Sequence, residues 1–269
     1  MRACAPIGVF DSGSGGLTVA RQLHKILPGE NIIYVGDMKR MPYGPRKPEE
    51  IIKFMDQFLH FFASKNVKMA VFACNTMTSW GYEKAVGRTI FPLVPMSTAV
   101  SEAAAVSPHK KIGVIATEAT VKKGFHADMA AKIDKNIEVY AVACPDFVTL
   151  IESGHIEDAV LENAARSYML KFKEKSIESL ILGCTHYPII SDILKKYLDT
   201  DVSLINPALS TVKKTEQILR DGQMLNSART EGKMEFFFSS APEHAAHMVK
   251  IVMGLENPFI NNIDLSEFN

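Results

Sequence analysis

Two cysteines in this chain of 269 residues stand directly after short apolar runs. Cys74 lies in AVFACNTMTS, and Cys184 lies in LILGCTHYPII, 110 residues further on. A thiol with an ordinary pKa of about 8.5 supplies some thiolate near neutral pH and still acts as an acid when it is protonated. The two loops are therefore candidates for paired acid and base chemistry.

Both cysteines have polar neighbours. Asn75 and Thr76 follow the first thiol, and Thr185 and His186 follow the second. A buried cysteine at a strand end, which is the commonest state of an intracellular thiol, does not require such donors. Metal binding by Cys184 and His186 stays open, but a structural zinc site usually has four ligands at recognisable spacing. Redox exchange also stays open, although an active dithiol generally shows CxxC spacing.

A third cysteine, Cys144, precedes Pro145 in ACPDFVTLIESGH, and we expect it to be structural. The same stretch contains Glu152 and His155. A single helix carboxylate is most often only a charged surface group, so Glu152 would take part in chemistry only if the fold places it beside His186.

Short apolar runs that end in small or polar residues recur along the chain. They are IGVF, IIYV, MAVFA, KIGVIA, EVYAVA, SLILG and VSLIN. The segments between them, such as EEIIKFMDQFLHFFASK and EDAVLENAARSYMLKFKEK, carry apolar residues at the spacing of amphipathic helices. This alternation predicts an α/β fold in which helices flank parallel sheets.

Two pairs of runs resemble each other. IGVFDSGSG begins at residue 7 and IGVIATEAT at residue 112, an offset of 105, while the two cysteine loops are offset by 110. The near agreement suggests two related α/β halves. Pro92, Pro95 and Pro207 interrupt the pattern, so we expect one domain over 1–97 plus 208–269 and a second over 98–207.

In open parallel sheets, ligands gather at the carboxyl ends of the strands. The residues expected there are Asp11, Asp37, Cys74, Thr117, Cys144 and Cys184. The loop DSGSGGL follows the first run and opens a helix, so its amides suit a small carboxylate. A dinucleotide site with Asp37 as the ribose ligand is the alternative, but Thr18 stands where GxGxxG has its third glycine.

The composition narrows the classes of function. Thirty basic and thirty acidic residues give a net charge of zero, so no overall field favours nucleic acid or an anionic membrane. The four cysteines lack the density of a disulfide-stapled domain, and no apolar run has the length of a signal peptide or a membrane span. We expect a soluble, cytoplasmic protein with reduced thiols.

Six stretches, in order, resemble the motifs of bacterial glutamate racemases, within the aspartate/glutamate racemase family. They are IGVFDSGSGGLTV, YVGDMKRMPYGPR, ACNTMT, GVIATEATVK, ACPDFVTLIESG and LILGCTHYPII, and they span residues 6 to about 206. The resemblance implies two related Rossmann-like domains with parallel sheets, a pseudo-two-fold axis and an active site in the interdomain cleft. It also implies a homodimer that binds glutamate, uses no cofactor or metal, and supplies D-glutamate for peptidoglycan.

The resemblance also implies a role for individual residues. The catalytic residues would be Cys74, Cys184, Asp11, Glu152 and His186. The substrate would be held by Asp11, Ser12, Tyr43, Gly44, Asn75, Thr76, Thr185 and His186. Cys74 would serve D-glutamate and Cys184 would serve L-glutamate, with Asp11 and His186 relaying protons to the nearer thiol.

Several positions depart from the family pattern, namely Ser14, Met77, Trp80, Lys123, His126 and Asn206. We expect these departures to affect substrate range and domain movement more than the chemistry, because both thiol loops match the family pattern. Three alternatives stay open: an aspartate racemase or related cofactor-independent enzyme, a non-enzymatic module that binds small acids, and a thiol redox protein.

Overall fold

The computed structural model describes residues 3–228 and 230–268. The strands are β1 (Ile7–Asp11), β2 (Ile32–Gly36), β3 (Met69–Phe72), β4 (Leu93–Val94), β5 (Lys111–Ala116), β6 (Glu138–Ala143), β7 (Ser179–Gly183), β8 (Ser203–Ile205), β9 (Met234–Phe238) and β10 (Ile260–Asn262). All strand pairs are parallel, and helices connect most of the strands, so the predicted α/β class is confirmed.

The α-helices are α1 (Leu17–Ile26), α2 (Pro48–Ser64), α3 (Asn75–Ala85), α4 (Val100–Ala105), α5 (Glu118–Lys123), α6 (Phe125–Ile133), α7 (Pro145–Glu152), α8 (Ala159–Met169), α9 (Ser191–Lys195), α10 (Pro207–Asp221) and α11 (Pro242–Met253). Short 3-10 helices cover Leu170–Lys175, Tyr187–Ile190 and Leu265–Glu267. The helix expected from EDAVLENAARSYMLKFKEK therefore ends as an α-helix at Met169 and continues as a 3-10 turn that buries Phe172.

The chain divides into two compact units. Unit 1 takes its residues from Met1–Met96 and Ala208–Asn269, and unit 2 takes its residues from Ser97–Pro207, within the limits of the described residues. Unit 1 contains a sheet with the strand order β10-β9-β2-β1-β3-β4, and unit 2 contains a sheet with the order β6-β5-β7-β8.

The two sheets share a connection pattern. The order β2-β1-β3-β4 in unit 1 corresponds strand for strand to β6-β5-β7-β8 in unit 2. In both, the first strand of the unit lies between the second and the third, and the cysteine loop follows the third. This correspondence is the structural counterpart of the two matched runs in the sequence.

Each apolar run predicted from the sequence forms a strand, and β1, β2, β3 and β7 are buried along their full length. Continuous burial explains why these runs are almost uniformly apolar rather than alternating. The strands β4, β9 and β10 were not predicted. Of these, β9 pairs with β2 and thereby brings the end of the chain back to unit 1.

A buried ion pair lies at the beginning of β3. Lys68, which is completely buried, donates to the side chain of Glu30 and to the carbonyl oxygens of Ala3 at 2.5 Å and Met224 at 2.8 Å. The second carboxylate oxygen of Glu30 accepts from the amide of Asn226 at 2.8 Å. The pair therefore joins the segment after α10 to the sheet of unit 1.

No helix in the described part of the chain has the length and apolarity that crossing a bilayer requires.

Candidate active site

The loop after β1 is built by close packing. The carboxylate of Asp11, which is fully buried, accepts from the amide of Gly16 at 2.7 Å, and the hydroxyl of Tyr34 donates to the carbonyl of Gly13 at 2.7 Å. A Cβ atom on Gly16 would lie 2.6 Å from that of Asp11, and one on Gly36 would lie 2.4 Å from the Gly13 oxygen. These glycines thus allow the loop to pack against two strand ends.

Cys74 links the loop after β1 to the end of β3. It follows β3 and caps α3, and its sulfur accepts from the amide of Met77 at 3.5 Å. Its thiol also donates to the hydroxyl of Ser12 at 3.8 Å. Only 4% of Cys74 is exposed. The positive end of the α3 dipole stabilises a negative charge on this sulfur.

Asn75, beside this thiol, has an unused amide. The residue is 2% exposed, and neither its side-chain oxygen nor its nitrogen has a hydrogen-bond partner among the described residues. Buried polar atoms normally have partners, and exceptions often mark binding sites. A donor and an acceptor are therefore available next to Cys74. Thr76, the following residue, is also buried.

The segment that carries Tyr43 and Gly44 is held by Asp37. The buried carboxylate of Asp37 accepts from Tyr43, from Arg40 Nε at 2.5 Å and from the Ser239 hydroxyl at 2.7 Å. Burial and the neighbouring Asp37 raise the pKa of Tyr43 well above its usual value, so its hydroxyl remains a donor. Asp37 is thus occupied internally, which removes the ribose ligand of the dinucleotide alternative.

Unit 2 places a histidine and a carboxylate beside its thiol. Cys184 follows β7, and its sulfur lies 3.8 Å from Nδ1 of His186. Nε2 of the same ring lies 2.6 Å from Oε1 of Glu152, the last residue of α7. All three side chains are buried. The fold thus meets the condition that the sequence left open for Glu152.

His186 can hold a positive charge in this setting. Burial by itself lowers the pKa of His186, but hydrogen bonds to Cys184 and Glu152, together with their charges, raise it well above the usual value. The imidazolium would then stabilise a thiolate at Cys184, while Glu152 fixes the ring orientation. Thr185, between the thiol and the histidine, is buried.

Cys144 lies in a different environment. The residue is buried, and its thiol donates to the carbonyl of Val142 at 3.7 Å. Burial is the main reason that the pKa of Cys144 is raised. A thiol that resists ionisation is a poor base, so this environment fits the structural role expected for it.

The departures from the family pattern lie mostly in packed positions. Ser14 and Met77 are completely buried, Trp80 packs at the edge of the core around Phe72, and His126 lies against Gly183. Lys123 lies in the last turn of α5, and Asn206 immediately precedes α10. His126 has a pKa of about 4 because burial penalises its charged form.

Within unit 1 the structure joins Ser12 to Cys74, and within unit 2 it joins Glu152 and His186 to Cys184. Asp37, which the sequence suggests as a strand-end ligand, instead orders the segment of Tyr43. Tyr187, to which the sequence pattern assigns no part in a site, lies in the Cys184 loop itself. Among residues 3–228 and 230–268, no three His, Cys, Asp or Glu side chains are grouped as metal ligands would be.

Comparison with known proteins identifies close relatives. The model of the Asp/Glu/Hydantoin racemase family matches residues 7–215. A curated glutamate racemase from Thermoanaerobacter pseudethanolicus is 38% identical over 263 residues, which is 98% of each chain.

Solved structures agree with this result. The crystal structure of glutamate racemase from Francisella tularensis in complex with D-glutamate matches with a TM-score of 0.91 at 35% identity, over 99% of this chain and 100% of that chain. A glutamate racemase isoform from Bacillus anthracis matches with a TM-score of 0.92 at 31% identity, over 97% of this chain and 98% of the other.

Proposed function

Because the chain belongs to the Asp/Glu/Hydantoin racemase family, we propose that it is a glutamate racemase, an isomerase that interconverts L- and D-glutamate. Relatives with that name match almost the whole chain, and one similar structure contains D-glutamate. The observation that carries the proposal is the pair of buried thiols, each at the end of the third strand of its unit and each beside polar partners.

Inversion requires a base on one face of the α-carbon and an acid on the other. In the direction from L- to D-glutamate, the Cys184 thiolate takes the α-proton and becomes a thiol. The Cys74 thiol then gives its proton to the opposite face and becomes a thiolate. The reverse direction exchanges the two roles, so two similar groups suit a reaction whose substrate and product are mirror images.

The two thiols would be activated differently. At Cys184, the His186 imidazolium balances the thiolate charge, and Glu152 holds the ring from its other nitrogen. At Cys74, the Met77 amide at the start of α3 and the Ser12 hydroxyl contact the sulfur. Asp11 fixes the loop of Ser12 through Gly16 and is the proposed proton relay on this side.

The substrate would be bound by polar groups around each thiol. The Asn75 amide is the best-supported ligand because its donor and acceptor are both unused. Ser12, Thr76, Thr185 and His186 are proposed to contribute side-chain groups. Since the Tyr43 hydroxyl is bonded to Asp37, Tyr43 and Gly44 would contribute backbone groups.

The α-proton of an amino acid is very weakly acidic, so the developing charge needs a dry, polar pocket. We propose that the thiols, amides and hydroxyls meet this need without pyridoxal phosphate or a metal ion. Activity should survive chelation and hydroxylamine treatment of the reduced enzyme. Loss to either treatment, restored by the matching cofactor, would contradict this part of the proposal.

Family membership also supports a proposal about the location and assembly of the enzyme. We propose a cytoplasmic homodimer that supplies D-glutamate for peptidoglycan, with domains 1–97 plus 208–269 and 98–207. Among the described residues, Cys4, Cys74, Cys144 and Cys184 form no disulfide, in keeping with a reducing compartment. Analytical ultracentrifugation tests the dimer.

A racemisation assay tests the function. Pure L-glutamate should lose its optical rotation, whereas L-aspartate should react at least about tenfold more slowly. Faster reaction with aspartate would reassign the substrate, and binding of either acid without racemisation would favour a binding module.

Single-thiol variants test the mechanism. Cys74→Ala and Cys184→Ala should each lose racemisation by a factor of about 100 or more, the usual effect of a positioned acid or base. In heavy water, Cys184→Ala should still exchange the α-proton of D-glutamate, and Cys74→Ala that of L-glutamate. Equal exchange into both enantiomers by one variant would contradict the two-thiol assignment.

A further inference from the structure

Tyr187 lies in the Cys184 loop and is completely buried. Its amide donates to the carbonyl of Cys184 at 3.1 Å, so the two residues belong to one tight turn. Its hydroxyl donates to the carbonyl of Cys144 at 3.0 Å. Burial, above all, raises the pKa of Tyr187 well above its usual value, and the hydroxyl therefore keeps its proton as a donor.

The two ends of α7 are bonded to this one loop. Cys144 caps the start of α7 and accepts from Tyr187, whereas Glu152 ends α7 and contacts His186. Cys144 is itself tied to the sheet, because its amide donates to the carbonyl of Ala116 at the end of β5 at 3.0 Å. The two ends of the helix thus hold the loop at two adjacent residues, His186 and Tyr187.

We infer that Tyr187 is a positioning residue for Cys184, which fixes the sulfur by tying its loop to the start of α7. The inference rests on the proposed function. A reacting atom that moves by about 1 Å can lose about 100-fold in rate, so the hydroxyl would affect catalysis without touching the substrate. Tyr187 and its hydrogen bonds should not position Cys74, because the Cys74 loop belongs to unit 1 and Tyr187 to unit 2.

The packing of the Tyr187 ring can be separated from its hydroxyl. The ring makes an edge contact with Phe147 at 5.3 Å, which a phenylalanine at 187 would keep. Tyr168 provides a matched control, since its ring also contacts Phe147 edge-on, at 5.1 Å. The hydroxyl of Tyr168 donates to Asp146 at 2.5 Å instead of to the loop of Cys184.

The experiment places Tyr187→Phe in each single-thiol background and measures α-deuterium exchange by NMR. In the Cys74→Ala background, only Cys184 can exchange the α-proton. Adding Tyr187→Phe should there lower exchange into L-glutamate by about tenfold, as expected when the Cys184 sulfur is only partly misplaced. With Cys184→Ala, exchange into D-glutamate by Cys74 should change by less than about twofold. Tyr168→Phe should leave both exchange rates within about twofold of their backgrounds.

Every outcome decides the inference. Equal losses in both backgrounds, or no loss in either, would overturn it. A Tyr187→Phe protein that failed to fold would also overturn it, because the hydroxyl would then serve folding and not the position of one sulfur. Racemisation by the wild type and selective exchange by the two single-thiol variants are measured first, so a failure of the proposed function is recognised separately.

Discussion

Oε1 of Glu152 lies 2.6 Å from Nε2 of His186, and both side chains are almost completely buried. The residues are 34 positions apart in the chain, so their contact is created by the fold. A carboxylate in this position orients the ring and stabilises its charged form.

Glu152→Gln should make His186 lose its proton at a lower pH. Burial lowers the pKa of His186, but the hydrogen bonds and charges of Cys184 and Glu152 outweigh it and raise this pKa. The variant removes the negative charge of Glu152, so the pKa of His186 should fall. Imidazole titration by NMR measures the change. Exchange by Cys184 in the Cys74→Ala background should fall by about tenfold or more.

The same pair makes stability depend on pH. The pKa of His186 is raised in the folded state, so protonation of His186 stabilises the fold. This contribution to the free energy of unfolding is fully present below about pH 6.5 and is lost as the pH rises through the folded-state pKa. In urea unfolding, the free energy of unfolding of Glu152→Gln should therefore fall less steeply with pH above about 6.5 than that of the wild type. Glu178→Gln, which alters an exposed contact of His109, is the control and should keep the wild-type slope.

His126 should weaken the fold in mild acid. Its pKa is lowered to about 4 by burial, so the unfolded chain binds a proton between about pH 6.5 and 4 that the folded chain refuses. The shift corresponds to about 3 kcal/mol of unfolding free energy, lost as the pH falls through this window. His126→Leu should remove most of this slope, whereas His60→Gln on the exposed face of α2 should retain it. An unchanged slope in His126→Leu would contradict the assignment.

Asn75→Ala should stabilise the enzyme and weaken glutamate binding. The amide of Asn75 has no partner among the described residues, and a buried unsatisfied group costs about 1–3 kcal/mol. Its removal should therefore raise the thermal midpoint, while KM for glutamate should rise by about tenfold or more through the lost hydrogen bonds to a charged ligand. Ser79→Ala, in the same helix, removes a hydroxyl that donates to Thr76 and should leave KM unchanged. An unchanged KM in Asn75→Ala would remove Asn75 from the site.

Lys68→Met should destabilise unit 1 by about 3–5 kcal/mol, because it leaves Glu30 buried without its counter-charge. The double variant with Glu30→Gln should recover part of this loss, as both charges are then absent. Urea unfolding monitored by circular dichroism gives both values. A single variant that loses less than about 1 kcal/mol would show that water or another group compensates Glu30.

The sequence predicts the parts of this fold that local pattern controls. Uniform apolar runs such as SLILG mark buried parallel strands, and the two cysteine loops follow from them. By contrast, β10 has the sequence INN, which is polar and short, and pairing with β9 decides its structure. The resemblance to racemases, which rested on six ordered motifs, is confirmed by the family match.

Contacts between distant residues mark the limit of such prediction. Asp37 looks like a strand-end ligand in the sequence, yet the fold directs its carboxylate to Tyr43, Arg40 and Ser239. Tyr187 looks like part of an apolar run in the sequence, yet the fold directs its hydroxyl to the carbonyl of Cys144, 43 positions earlier in the chain. In each case the partner is set by the packing of elements, which periodicity does not encode.

The strand order of unit 1 has a consequence for biosynthesis. Ser239, just after β9, donates to Asp37 across 202 positions of the chain, and β9 covers the edge of β2. A ribosome therefore completes the whole of unit 2, which is continuous, before it delivers the strand that closes the sheet of unit 1. Until then the β2 edge and the Lys68 site lack their late partners, so the nascent chain is most exposed to mispairing and to chaperone binding at this edge.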